Sequence, residues 1–569
     1  MMNPQVRFLF LAIFSVFSFT VQGINPYHVL LHQDTLLEDT VSIPKDWFLR
    51  DPEVDHMQGV SAEKTYSTLL KGKPSNTVLV AVIDSGIDVE HEDLKDVIWI
   101  NEDEIPGNAI DDDKNGYIDD IHGWNFIGGK TGNVDEDTYE VTREYIRLKK
   151  TFENMDEKKV TKKNKNDYAK WLVVKKKYDN DFKANKDQYD QYKQQLDLYE
   201  NAFTTLRFCD SVLTKSLGKP VNKSSLSEIE VTNDTIKFAR ETLAKVMENV
   251  AGDIAVSEFL NELENYLHQL RNGVNHYGTA VDYGYNLDFN SRTVVGDDPN
   301  NLYEKGYGNN DVEGPDARHG THVAGIIGAN RKNDVGVKGI ADNVRIMSVR
   351  AVPNGDERDK DVANAILYAV DNGAKVINMS FGKSFSPQKE AVDKAVKYAE
   401  SKGVLLIHAA GNDGDDLDKK SNFPSKVLGS GSEASNWLEI GASSFGADEN
   451  FVGSFSNYGK NSVDLFAPGV QIYSTIPNNH YENLEGTSMA SPVAAGVAAL
   501  LWSYFPELTA KQVKQILKES TRKFDGLKVT RPGSTDDVPF TSLSATGGLV
   551  NAYEAVKLAA SFNTQPTKK

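Results

Sequence analysis

Cys209 is the only cysteine in the chain of 569 residues, so no disulfide can close within it. An exported protein without disulfides needs a large core, bound metal or both, and this length allows a large core. A basic surplus is also lacking: 63 Lys and Arg stand against 82 Asp and Glu, a net charge of −19. No nucleic-acid partner is expected, because one would require a basic face. Long apolar runs are scarce too. The main one, Phe8–Val21, falls short of the about 20 residues that cross a bilayer. Arg7 precedes it and small residues end it at Val21-Gln22-Gly23, so residues 1–23 read as a cleaved signal peptide. The competing reading is an uncleaved anchor helix. Export to the periplasm, cell surface or medium is expected, with no stable membrane insertion after cleavage.

The length suggests roughly two to four domains. Residues 24–70, with Pro26, Pro44 and Pro52, read as an N-terminal leader or short pro-segment. The apolar run Thr77–Ile83 then ends in Asp84, and similar runs return at 344–349, 376–379, 404–408 and 463–466. Unbroken apolar runs suit strands buried on both faces, as in parallel sheets. Helical patterns at 362–370 and 390–399 separate them, which predicts an α/β sheet with helices on both faces.

Residues 136–299 have a different texture, rich in Lys, Asp, Asn and Tyr. Tyr189, Tyr192, Leu196, Tyr199, Phe203 and Leu206 recur at helical spacing, and so do Phe238, Leu243, Val246, Val250, Phe259, Leu263 and Leu267. An inserted α-helical subdomain is expected there, flanked by one domain made of 71–135 and 300–560.

Three motifs carry chemistry. Asp84-Ser85-Gly86 places a carboxylate where a buried strand stops. His319-Gly320-Thr321-His322 opens a helix of small residues that can approach a sheet closely. Gly486-Thr487-Ser488-Met489-Ala490-Ser491-Pro492 opens a second such helix, with Ser488 at its positive end and Pro492 in the first turn. Each alone has another reading: a turn for the first, a pair of metal ligands for His319 and His322, though no third ligand follows in the zinc-protease pattern, and a helix cap for the third.

Together, in the order Asp, His, Ser, they resemble the subtilase family of serine proteases. The resemblance covers roughly 70–135 and 300–525. It implies a doubly wound, mostly parallel subtilisin-like sheet and a serine endopeptidase. Ser488 would be the nucleophile, His319 the general base and Asp84 the group that orients it. Asn412, in His408-Ala409-Ala410-Gly411-Asn412, would supply an oxyanion donor with the Ser488 backbone N–H. Ser380, Phe381 and Gly382 on one side, and Gly355 on the other, would pair with an extended polypeptide substrate. Residues 85–318 separate the aspartate from the histidine, where compact family members have a few tens, so the insertion is expected to restrict access to the cleft. A monomer is expected. The alternative is a non-catalytic binding protein on the same scaffold; an esterase is another.

One acidic loop remains. Asp111, Asp113, Asn115 and Asp119 fit positions one, three, five and nine of an EF-hand-like loop, with Gly116 at six. His122 stands at twelve, where a glutamate is required, so the pattern is incomplete. An acidic surface turn is the plainer reading. Structural Ca2+ is expected, since subtilases commonly bind it; the chemistry itself requires no cofactor.

Overall fold

A computed structural model describes residues 43–248 and 250–562. The signal peptide at 1–23, and the leader as far as residue 42, lie outside the described residues. The described chain forms two compact units, one of residues 175–285 and one that holds the sheet.

The sheet is built from β1 (Val78–Asp84), β2 (Gly123–Asn125), β3 (Val344–Arg350), β4 (Val376–Met379), β5 (Leu405–Ala409), β6 (Trp437–Ser443) and β7 (Leu465–Pro468). A hairpin, β8 (Ile472–Ile476) and β9 (His480–Leu484), stands apart from it, while β10 (Arg522–Lys523) and β11 (Gly548–Leu549) extend one edge. The strand order is β10-β11-β7-β6-β5-β4-β1-β3-β2. All neighbours are parallel except β10 and β11. The expected mostly parallel α/β fold is what the chain forms.

The helices used below are α1 (Glu140–Phe152), α2 (Lys165–Leu217), α3 (Asp234–Glu248), α4 (Val256–Thr279), α5 (Arg318–Gly328), α6 (Asp359–Asp371), α7 (Lys389–Ser401) and α8 (Thr487–Tyr504). Side chains alternate across β1. Val78, Val80 and Val82 join a core with α5 and α8, whereas Ala81 and Ile83 join one with α6 and α7. This is how a strand with two buried faces comes to read as continuous apolar sequence. β6 escaped the sequence reading because Glu439 and Gly441 interrupt its run.

Residues 43–70 are packed core rather than a loose leader. Trp47, Phe48, Leu49, Val60 and Ala62 are buried against the α5 and α8 side. The Trp47 indole donates to the Gln471 carbonyl at 3.1 Å, and Arg522 reaches Gly59 O and Ser61 Oγ.

The separate helical unit has its own core. Leu206, Cys209 and Leu213 of α2 meet Leu243 and Val246 of α3 and Phe259, Leu263 and Leu267 of α4. Phe238, expected on this apolar stripe, faces solvent; Ile236 and Ala239 are buried instead. The unit is shorter than the span 136–299. Residues 136–174 and 286–299 pack with the sheet, through buried ion pairs that periodicity does not reveal: Asp137–Arg358 at 2.7 Å, Glu140–Lys383 at 2.8 Å and Arg292–Asp361 at 2.6 Å. Among the described residues no helix is long and apolar enough to cross a membrane.

If residues 43–70 belong to the core, truncating a side chain there costs as much as any core truncation. Trp47→Ala is expected to lose about 3–5 kcal/mol in a urea titration. A loss below about 0.5 kcal/mol, the scale of a surface change, would contradict this packing.

Candidate active site

The site forms at the carboxyl ends of the parallel strands, where open α/β sheets place their ligands. Asp84 is the last residue of β1 and only 1% exposed. Its Oδ1 accepts the Ser85 backbone N–H at 2.8 Å and lies 2.6 Å from His319 Nδ1. His319 is in the first turn of α5. Gly320 makes this approach possible: a Cβ there would stand 2.1 Å from the Gly86 carbonyl and 3.1 Å from Asp84 Cβ. Burial works against a charged His319, but the Asp84 carboxylate and its hydrogen bond outweigh it. The imidazole pKa is raised above its ordinary value.

His322 behaves differently. Burial lowers its pKa to about 3, so the ring is neutral at working pH. Its Nε2 donates to Ile472 O at 3.0 Å and Glu482 O at 3.1 Å, which ties α5 to the β8–β9 hairpin.

Ser488 opens α8, and α8 packs against α5. Its hydroxyl donates to the Ser380 carbonyl at 3.1 Å. Pro492 lies inside the helix, not in the first turn as expected. A proline has no N–H to give, so the Ser488 carbonyl four residues back loses its helical partner. Ser380 Oγ replaces it at 2.9 Å, and Asn378 Nδ2 in turn donates to Ser380 Oγ at 2.9 Å.

Asn412 is held by its oxygen. Oδ1 accepts both the backbone N–H and the hydroxyl of Thr487, each at 2.9 Å. That leaves Nδ2 to donate elsewhere. Gly486 (φ 152°) marks where it points: a Cβ there would lie 3.3 Å from Asn412 Nδ2 and 3.6 Å from Ser488 N. Two donors thus converge beside Ser488. Thr487 and Asn457 were missed by the sequence reading. Asn457 holds the turn that carries Asn412, giving Nδ2 to Ala410 O at 2.8 Å and accepting Asp413 N and Asp415 N. Neither residue has a spacing that singles it out.

Past β4, the segment Ser380–Gly382 runs alongside Ser488. Lys383 then exchanges both backbone bonds with Phe423 at 2.9 Å. On the other side, Asn354 pairs with Glu136, donating to Asp135 O at 2.8 Å and accepting from Asp137 N at 3.1 Å. Gly355 takes no part in that pairing.

In the acidic loop, carboxylate oxygens of Asp111, Asp113 and Glu104 lie within 4.8 Å of one another. Glu104 was not foreseen; it lies outside the motif. Asp111 accepts the N–H groups of Asn115 and Gly116. Asn115 accepts from Tyr117 N and donates to Asp113 and Asp120. Asp119 turns away from the cluster, and its carboxylate accepts the N–H groups of Gly107, Asn108 and Ala109. Burial pushes the neighbouring Asp120 up to about 6.

A carboxylate-bound imidazole on α5 and, at the start of α8 packed against it, a serine with two donors converging on it are the groups a serine hydrolase uses, here on a mostly parallel α/β sheet. The sequence model of the subtilase family matches residues 75–547. The chain belongs to the subtilase family and is a subtilisin-like serine endopeptidase. It is 38% identical over 281 residues to the thermophilic serine proteinase of Bacillus sp. (strain AK1), covering 49% of this chain and 60% of that protein. It is 36% identical over 240 residues to thermitase of Thermoactinomyces vulgaris, covering 42% of this chain and 75% of that protein. Among solved structures, a protease from Pseudoalteromonas arctica PAMC 21717 aligns with a TM-score of 0.37 and 28% identity, covering 45% of this chain and 80% of that one.

The raised His319 pKa fixes the sign of a pH effect. With His319 as the general base, which works only when neutral, activity would fall as pH drops through its pKa. The acid limb of kcat/KM is expected above about 6.5, the ordinary histidine value. A limb at or below that value would mean that burial, not Asp84, dominates.

Proposed function

We propose that the peptide bond is cleaved by Ser488, His319 and Asp84, with Asn412 and the Ser488 N–H stabilising the oxyanion. The observation that carries this reading is the 2.6 Å contact between His319 Nδ1 and buried Asp84. It fixes one ring nitrogen as a donor to the carboxylate and leaves Nε2 to act as the base. The Ser488 hydroxyl leaves the Ser380 carbonyl, gives its proton to His319 Nε2 and attacks the scissile carbonyl. Negative charge collects on the carbonyl oxygen between Asn412 Nδ2 and Ser488 N–H. His319 then protonates the departing amine, and water hydrolyses the acyl-enzyme by the reverse transfer.

The substrate is an extended polypeptide, held between Ser380–Gly382 and the segment at Gly355. Main-chain pairing on both sides favours a peptidase over an esterase. Export rests on residues 1–23, and the inserted helices are the proposed restriction on large substrates.

A structural Ca2+ fits the acidic loop. The donors are all oxygens, as that ion prefers, and three carboxylates already converge. Asp111 and Asp113 would hold it with Glu104. Asn115 and Asp119, expected as ligands, would shape the loop through their hydrogen bonds. EDTA is expected to lower the melting temperature and added calcium to restore it; an unchanged melting curve would remove the ion from the account.

A fluorophosphonate probe tests the central reading. It is expected to label wild type and not Ser488→Ala. Asn412→Ala should lower kcat by about 10²–10³-fold with KM little changed. Labelling of Ser488→Ala, or none of wild type, would overturn the assignment.

A further inference from the structure

A second buried imidazole–carboxylate pair lies beside the site, and the mechanism above does not use it. His408 and Glu439 face each other across β5 and β6 in ladder register. His408 is 0% exposed and Glu439 5%. His408 Nδ1 lies 2.8 Å from Glu439 Oε1, and Nε2 lies 2.7 Å from the Phe381 carbonyl. Glu439 Oε2 accepts the Trp437 indole N–H at 2.8 Å.

The protons can be placed by what each partner is able to do. A carbonyl only accepts, so Nε2 carries a hydrogen. One further proton lies between Nδ1 and Oε1. On whichever atom it sits, both hydrogen bonds of the ring are made. The pair is therefore a brace whose hold on Phe381 does not depend on its being ionised.

Its position gives the brace a task. The β4–β5 ladder ends at Met379 and His408, so Ser380–Gly382 extend beyond the last ladder pairing. Phe381 O goes to His408, and Lys383 exchanges its backbone bonds with Phe423. Alternate residues thus face inward, and Ser380 and Gly382 face the other way. The peptide unit is planar and trans. Holding the Phe381 carbonyl on His408 therefore aims the Gly382 N–H in the opposite direction, toward the proposed substrate strand. Four residues past His408 the same chain presents Asn412.

We propose that His408, oriented by Glu439, is a positioning residue that sets the Ser380–Gly382 edge against the oxyanion segment for extended substrates. This rests on the substrate-binding reading above. Stability alone is a poor reason for the pair, since apolar residues of similar volume in such a place are often neutral or stabilising.

The test is a length series: peptide substrates with one and with four residues before the scissile bond, and kcat/KM for each on phosphonate-titrated enzyme. Wild type is expected to gain from the longer peptide. His408→Ala should lose about tenfold or more of that gain, the weight of a buried hydrogen bond, while the short substrate loses far less. Glu439→Gln should retain the gain, because its amide can donate to Nδ1 and its oxygen can accept from Trp437. His408→Ala leaves Glu439 buried and unpaired, so the double variant His408→Leu, Glu439→Leu repeats the test without that charge. An unchanged gain in folded His408→Ala or in the folded double variant, or an equal loss on both substrates, would overturn the proposal. Wild type that does not react with the phosphonate would overturn the proposed function, and this inference with it.

Discussion

Everything in the site depends on how closely the first turn of α5 approaches the end of β1. A Cβ at Gly320 would stand 2.1 Å from the Gly86 carbonyl. Without one, His319 reaches a carboxylate that the fold has already buried at the strand end. Burying that carboxylate is costly unless a partner answers it, and the imidazole is that partner. One contact therefore answers the charge at the strand end and also orients the His319 ring.

The other groups reach the same place by separate local rules. Pro492 frees the Ser488 carbonyl, and Ser380 Oγ takes it. This links the start of α8 to the segment that follows β4. Thr487 fixes the oxygen of Asn412 and so decides where its N–H points. Each link joins two segments distant in sequence, and together they leave little freedom to the strand ends that carry the chemistry.

Much of this was legible in the sequence. Unbroken apolar runs marked β1, β3, β4 and β5, because both faces of those strands are buried. The three motifs were legible because small residues must flank groups placed at such close contacts. What could not be read depends on pairing between distant residues. Glu104 joins Asp111 and Asp113 from outside the loop motif, and Asp119 is spent on backbone N–H groups. Asp137, Glu140 and Arg292 have no spacing that marks them; their partners Arg358, Lys383 and Asp361 draw those flanks onto the sheet unit. Residues 43–70 looked like a leader because a short, proline-bearing segment has no periodicity to reveal its buried Trp47.

The contact between Asp84 and His319 is the claim on which the rest stands, and proton NMR reads it directly. Ser488→Ala protein, which cannot digest itself, is expected to show a far-downfield imidazole N–H that His319→Ala abolishes and that Asp84→Asn removes or shifts strongly upfield. A resonance unaffected by Asp84→Asn, or none assignable to His319, would contradict the account.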